Sequence, residues 1–310
     1  MKILVTGGAG FIGVHLVEAL LNTRNEVTVV DNFSSGNKQN LKLSSGMDRL
    51  NILHRDIIEK IMLTGFEQIY HLASLASPVF YQKDPIGTAL SNSVGTYNML
   101  VQASKNKSRI LFASTSEVYG NPLQHPQQET YWGNVNPNGI RSCYDESKRF
   151  GESLMMDFYR QHGVETRIAR IFNTYGPKMN PNDGRVIPNF IYQALMSEPI
   201  TIYGDGKQTR SFCYASDIVR GLISLMGSDY VAPVNLGNPS ERTILELAET
   251  IKDLTDSKSE IIFKKLPADD PVRRCPDINR AREVLLWEPR VNLVEGLKRT
   301  IDWFKKELNV

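Results

Sequence analysis

Thr6-Gly7-Gly8-Ala9-Gly10-Phe11-Ile12-Gly13 follows the apolar run Lys2-Ile3-Leu4-Val5 and opens the amphipathic stretch Phe11–Leu21. A short β-branched run, a glycine turn and a helical period read as strand, turn and helix. The glycines fall as Gly7-x-x-Gly10-x-x-Gly13. Lacking Cβ atoms, they let backbone approach a pyrophosphate, and the helix start offers unpaired N–H groups and a positive dipole end. Gly13 is expected to let the helix lie close to the sheet. Asp31 ends the next β-branched run, Glu26–Asp31, 18 residues beyond Gly13. A carboxylate there accepts hydrogen bonds from the adenosine ribose hydroxyls and repels a 2′-phosphate, which predicts NAD rather than NADP.

Outward from this unit, strands are predicted at Leu50–His54, Gln68–Leu72, Arg109–Ala113 and Glu165–Ile171. Helical patterns cover Gly87–Ser104 and Tyr144–Gln161. This alternation predicts an α/β fold, a Rossmann-type doubly wound parallel sheet covered on both faces. After Asn173 turn residues crowd into Asn173-Thr174-Tyr175-Gly176-Pro177 and Asn180-Pro181-Asn182-Asp183-Gly184, and shorter mixed elements follow. The expected organisation is an NAD-binding domain over residues 1–172. A smaller mixed α/β lobe over 173–310 is expected to bind substrate, with about 211–240 returning to the main domain.

The 310 residues are 41% apolar, enough for a large core. Lys+Arg (36) nearly balances Asp+Glu (34), so charge gives no argument for nucleic acid or a membrane surface. Cys143, Cys213 and Cys275 are far apart, with neither metal-ligand spacing nor a disulfide framework, and no metal is expected. The chain opens directly into a strand and has no apolar run of transmembrane length. A cytoplasmic location without a signal peptide is the expectation.

Tyr144-Asp145-Glu146-Ser147-Lys148 places a phenol and an amine on one helix face. A nearby ammonium favours phenolate and should lower the Tyr144 pKa, suiting it as general base toward a sugar hydroxyl. Ala113-Ser114-Thr115-Ser116-Glu117-Val118-Tyr119-Gly120 lies at a predicted strand's carboxyl end, so all three segments should meet at one cleft.

The glycine turn, Tyr-x-x-x-Lys and Arg170-Ile171-Phe172-Asn173-Thr174-Tyr175-Gly176-Pro177 together resemble the extended short-chain dehydrogenase/reductase superfamily. Ala113–Gly120, Tyr131-Trp132-Gly133, Cys143–Arg149, Asn182-Asp183-Gly184-Arg185-Val186, Gln208-Thr209-Arg210-Ser211-Phe212, Asp277-Ile278 and Trp287-Glu288-Pro289 are similar to the UDP-glucuronate decarboxylase (UDP-xylose synthase) family within it. The resemblance runs nearly end to end. It implies Tyr144 as base, with Lys148 as its electrostatic partner and a ribose ligand. Thr115 would bind the 4-oxygen, and Ser116 and Glu117 would flank the departing carboxylate. Arg274 would act near the reacting sugar. Asn173, Arg185 and Arg210 would serve the diphosphate or nucleotide, with Tyr203 and Gln208 beside them. NAD would contact Gly7, Gly10, Phe11, Ile12, Gly13, Asp31, Asn32, Phe33, Ser35, Gly36, Asp56, Ile57, Leu72, Ala73 and Ser74 as well as the catalytic pair. It would stay tightly bound and be recycled. Dimers through the helices near Gly87–Ser104 and Tyr144–Gln161 are also implied.

Sibling reactions share the first step, oxidation at C4. Dehydratases resemble Thr-Asp-Glu where this chain has Thr115-Ser116-Glu117. A serine is a poor acid for expelling hydroxide. A uronate oxidised at C4 is a β-keto acid that loses carbon dioxide readily, and returning the hydride leaves no net redox. A UDP-sugar 4-epimerase is the main competitor, ahead of a 4,6-dehydratase and a non-catalytic NAD-sensing protein, which would be expected to lose Tyr144 or Lys148. The chain departs from the family at Leu90, where a lysine is common, and around Met62, where a tyrosine is common. Both positions are expected near the sugar end of the pocket.

Overall fold

Lys2–Thr6 (β1), Glu26–Asp31 (β2), Leu50–His54 (β3), Gln68–His71 (β4), Arg109–Thr115 (β5) and Thr166–Ile171 (β6) hydrogen-bond in parallel with the strand Val234–Leu236. Their spatial order is β3-β2-β1-β4-β5-β6 followed by Val234–Leu236, a single seven-stranded sheet. The computed structural model describes residues 1–43, 45–265 and 273–310. β1 and β5 are almost continuously buried rather than alternating, as parallel strands covered on both faces must be. The first crossovers run from β1 outward to β3, and β4 then returns to the opposite side of β1. Strand order reverses there, opening a crevice beyond the carboxyl ends of β1 and β4.

One apolar cluster joins Ile3, Val5, Val14 and Val17 to Ile218, Leu222, Leu236 and Trp287. The helix Ala215–Gly227, the strand Val234–Leu236 and Trp287 therefore pack in the core of the main sheet. The Trp287 indole donates to the Asp217 carbonyl (3.0 Å), and the Asp217 carboxylate accepts from the backbone N–H groups of Arg290 and Val291, each at 2.9 Å. A second cluster joins the helices Val186–Leu195, Ile244–Leu254 and Leu293–Leu308 over the strand pair Ile200–Tyr203 and Ile261–Lys264. Thr243 and Glu246 form a reciprocal capping box at the second of these helices.

The pattern over Gly87–Ser104 predicts one continuous helix. The structure breaks it into Pro85–Leu90, a π-turn at Ser91–Gly95 and Thr96–Asn106. The Ser93 hydroxyl donates to the Ala89 carbonyl (2.6 Å), and the Thr96 hydroxyl to that of Asn92 (2.7 Å). Such back-bonding competes with the helical ladder and accompanies widened turns. Among the described residues, no helix is long and apolar enough to cross a membrane.

Candidate active site

The crevice is a cavity of about 880 Å³. At one end lies the glycine turn. Gly7 has φ +71° and its absent Cβ would stand 2.7 Å from the Ala73 backbone; a Cβ on Gly13 would stand 2.1 Å from the Gly7 carbonyl oxygen. Gly13 thus seats the helix Phe11–Asn22 on the glycine turn itself, a closer origin than the helix–sheet packing expected of it. No side chain caps that helix, so its first N–H groups remain for an anionic ligand. The Asp31 carboxylate accepts from the backbone N–H groups of Ala9 (2.9 Å) and Phe33 (2.8 Å). Burial pushes its pKa up while the two N–H bonds pull it down. Asn32 donates to Asp56 at 2.8 Å. Ser35, Gly36 and Ile57 complete this end, and Leu72, Ala73 and Ser74 form the opposite wall. Phe33 differs from the expectation. Its ring turns away to His54, with centroids 5.2 Å apart, and only its N–H serves the site, through Asp31. A glycine cradle, a free helix start and a pinned carboxylate fit an adenine dinucleotide.

The reactive end is built by β5 and the helix Ser142–His162. Thr115 ends β5, and its hydroxyl oxygen accepts from the Glu117 N–H (3.2 Å) and hydrogen-bonds Tyr144. Tyr81 stacks on Tyr144, with centroids 5.1 Å apart and planes 4° from parallel. Lys148 Nζ donates to the Ala113 carbonyl (2.7 Å) and stands 5.8 Å from the Tyr144 ring centroid. Burial pushes the Lys148 pKa down to about 7, with Glu152 opposing. The lowered Tyr144 pKa expected from the sequence is corrected here: burial pushes the phenol well above its usual range, and the Thr115 hydrogen bond only partly offsets this. Desolvation wins because the amine is committed to a carbonyl and is itself only partly charged.

Glu117 accepts from both terminal guanidinium nitrogens of Arg274, Nη2 at 2.9 Å, and from Arg141 Nη2 at 2.5 Å. Burial pushes its carboxyl up, but Arg274 and Arg141 outweigh this and hold it below the usual carboxylate range. Asp145 beside them is pushed up to about 7 by burial, then by repulsion from Glu117. Ser116 is 2% exposed and carries no acid into this corner.

The third region lies over the helix Val186–Leu195. Arg185 is held by Asp183, with Nη2 to Oδ2 at 2.5 Å, and its guanidinium lies 5.9 Å from the Phe11 ring centroid. Gln208 donates to the Tyr203 carbonyl (2.5 Å), and Arg210 to the Thr209 carbonyl (2.9 Å). Asn173, Tyr203, Gln208 and Arg210 all face the same cavity.

Two positions expected at the sugar end lie elsewhere. Met62 is exposed, its sulfur 3.9 Å from Lys105 Nζ, and Leu90 is 39% exposed on an outer helix face. Neither lines the cavity. Sequence reading missed Arg141, Tyr81 and Asp183. Arg141 sits three residues before Tyr144 at the same helix start, and that proximity was its available signal.

Lys148 also sets a pH dependence. Between about pH 7 and 10.5 the unfolded chain holds a proton on this amine that the folded chain lacks. Folding stability from this group therefore rises with pH across that window. The ligand-free protein should gain resistance to urea between pH 7 and 9.5 relative to Lys148→Met; parallel curves for the two would refute the buried amine.

Residues 3–237 match the family described as "NAD dependent epimerase/dehydratase family". The chain is 55% identical to UDP-glucuronic acid decarboxylase 6 of Arabidopsis thaliana, over 100% of this chain and 90% of that protein. The fold is similar to that of UDP-glucose 4-epimerase of Thermotoga maritima with UDP-glucose: TM-score 0.91, 31% identity, 99% of this chain and 100% of that one. A mutant UDP-glucuronic acid 4-epimerase from Bacillus cereus, in complex with UDP-4-deoxy-4-fluoro-glucuronic acid and NAD, gives a TM-score of 0.89 and 28% identity over 99% of this chain and 100% of that one.

Proposed function

The chain belongs to the NAD dependent epimerase/dehydratase family, and from that premise we propose that it decarboxylates UDP-glucuronate to UDP-xylose. The observation that carries this reading is the corner around Glu117. Ser116 supplies no acid to expel a hydroxyl. Among the described residues, Arg141 and Arg274 both bind the Glu117 carboxylate there, with Asp145 beside them. Planar guanidinium forks bind a carboxylate well, and both of these arginines line the cavity where a uronate carboxylate would lie. The likeness to UDP-glucuronic acid decarboxylases over the whole chain supports the same reading.

NAD, when bound, accepts hydride from C4, returns it to the same carbon, and in its oxidised form brings a cationic ring. Tyr144 takes the 4-hydroxyl proton, helped by the Arg185 charge that favours its phenolate. Thr115 holds the 4-oxygen. In the resulting β-keto acid the bond from C5 to the carboxyl carbon breaks, carbon dioxide leaves, and its electron pair moves to the 4-oxygen as an enolate. Tyr144 and Thr115 stabilise that oxygen by hydrogen bonds. C5 then takes a proton from a solvent water, whose hydroxide is neutralised by the buffer, and Tyr144 returns its proton to the 4-oxygen as C4 is reduced. Asn173, Arg185, Gln208 and Arg210 hold the UDP portion. With no net redox, NAD held by the glycine turn and Asp31 would be recycled within each turnover and would not need to leave.

Proton NMR of the protein with UDP-glucuronate and NAD tests this. UDP-xylose should appear, with one deuterium at C5 in heavy water; a product retaining its carboxylate, UDP-galacturonate, would make the protein a 4-epimerase. We further propose a homodimer. Ile86, Leu90, Val94 and Tyr97 form an exposed apolar stripe at helical spacing, beside exposed Phe150 and Tyr159.

A further inference from the structure

Away from the cavity, three segments distant in sequence bring His125, Glu241 and Cys275 together. One ligating atom from each lies within 4.8 Å of the other two. His125 Nε2 is 2.9 Å from Glu241 Oε2. The Glu241 carboxylate is oriented from behind: its Oε1 accepts from the Thr209 hydroxyl at 2.6 Å. The Cys275 backbone is fixed, its N–H donating to fully buried Gln127 (2.8 Å), and its sulfur faces the Pro239 carbonyl at 3.3 Å. An imidazole–carboxylate hydrogen bond explains two of these groups. The buried thiol, which donates to the Pro239 carbonyl, stands beside them as a third ligating group.

We propose that His125, Glu241 and Cys275 form a structural site for zinc, with the Pro239 carbonyl or a water as fourth ligand. Zinc takes one nitrogen, one oxygen and one thiolate in tetrahedral array at about 2.0–2.3 Å. Ligand atoms within 4.8 Å need only small side-chain movements to reach such a centre. A thiolate and an imidazole favour zinc over calcium or magnesium, which take oxygen ligands. On binding, the thiol proton passes to solvent, the imidazole proton shared with Glu241 leaves Nε2 so that only Nδ1 stays protonated, and three protein–metal bonds replace the His125–Glu241 hydrogen bond. The carboxylate held by Thr209 is the support such sites use to orient their ligands. Cys275 follows Arg274 directly, and Thr209 precedes Arg210. The ion would thus link the strand Glu241–Thr243 to the end of Arg273–Arg274, the two strands that flank Thr209–Ser211 and its cavity-lining Arg210.

The test uses the full chain, stripped with a chelator and titrated with cobalt(II) as a spectroscopic stand-in for zinc. One equivalent should bind per chain, giving a thiolate-to-cobalt charge-transfer band and tetrahedral d–d bands that zinc then bleaches. Cys275→Ser should lose the charge-transfer band. His125→Ala, a change at an exposed residue, should weaken zinc binding by more than about tenfold. Both stripped variants should melt close to the stripped wild type, while only wild type gains a higher Tm with zinc. A wild type without the charge-transfer band, or a band that survives in Cys275→Ser, would overturn the site. None of these readouts depends on UDP-sugar turnover.

Discussion

Tyr144→Phe should reduce turnover by about 10³-fold or more, since positioned proton transfer contributes about 10²–10⁴-fold and Tyr144 also holds the 4-oxygen. The lost hydroxyl bonds Thr115, and the ring that remains still stacks on Tyr81. The variant should therefore fold normally and still bind NAD through the glycine turn and Asp31. Mixed with UDP-glucuronate, it should show no transient NADH absorbance, because the first oxidation fails. Retention of more than a tenth of wild-type turnover would remove Tyr144 from the role of base. The raised phenol pKa sharpens this prediction. A tyrosine that resists ionisation when ligand-free depends on positive charge in the loaded site, so its activity should rise with pH more steeply than its binding.

Glu117→Ala should cost about 3–5 kcal/mol of stability as well as most of the turnover. Removing one member of a buried ion pair leaves its partner uncompensated. Here Arg274 would lose both its bonds to Glu117, and Arg141 one of its carboxylate partners, Asp145 remaining beside it. Side-chain exposure is 14%, 12% and 5% for Glu117, Arg141 and Arg274, so solvent does little to replace the lost contacts. Adding Arg274→Met to Glu117→Ala should restore part of the stability, a coupling of about 0.5–3 kcal/mol, without restoring turnover. Urea denaturation of the two single variants and the double variant measures this. Strictly additive losses would mean that the three charges do not act as a unit.

The parallel sheet was legible because each strand is a short apolar run ending at a turn or cap, and the glycine turn fixes which strand is first. β2 and β3 match their predicted limits. Seven strands in one sheet were less legible. Val234–Leu236 is only three residues long, and nothing local in it says that it pairs with β6. At the site, the residues facing the cavity were readable where a motif surrounds them, as at Thr115, Tyr144 and Arg185. Arg141 was not, because its partner Glu117 lies 24 residues away and pairing of charges is a tertiary fact. Leu90 and Met62 show the converse. Placed by resemblance at the sugar end, they lie on outer surfaces, one of them on an apolar helix stripe. The direction of the Tyr144 pKa was also beyond sequence, since depth of burial decides it over the neighbouring amine.

The late strand Val234–Leu236 and the seat of Trp287 on Asp217 bear on how the chain is born. As a ribosome releases it, β1 to β6 emerge first, and β6 keeps an open edge until more than sixty further residues follow. Parallel pairing between distant segments is slow, and an uncapped strand is a template for wrong partners. Trp287 arrives later still, and only then is the apolar face beneath Ile218 and Leu222 closed. A nascent chain of this protein must hold an unfinished sheet in solution until those residues follow. A stop codon just before Trp287 would yield a client for chaperones and proteases, not a smaller working unit.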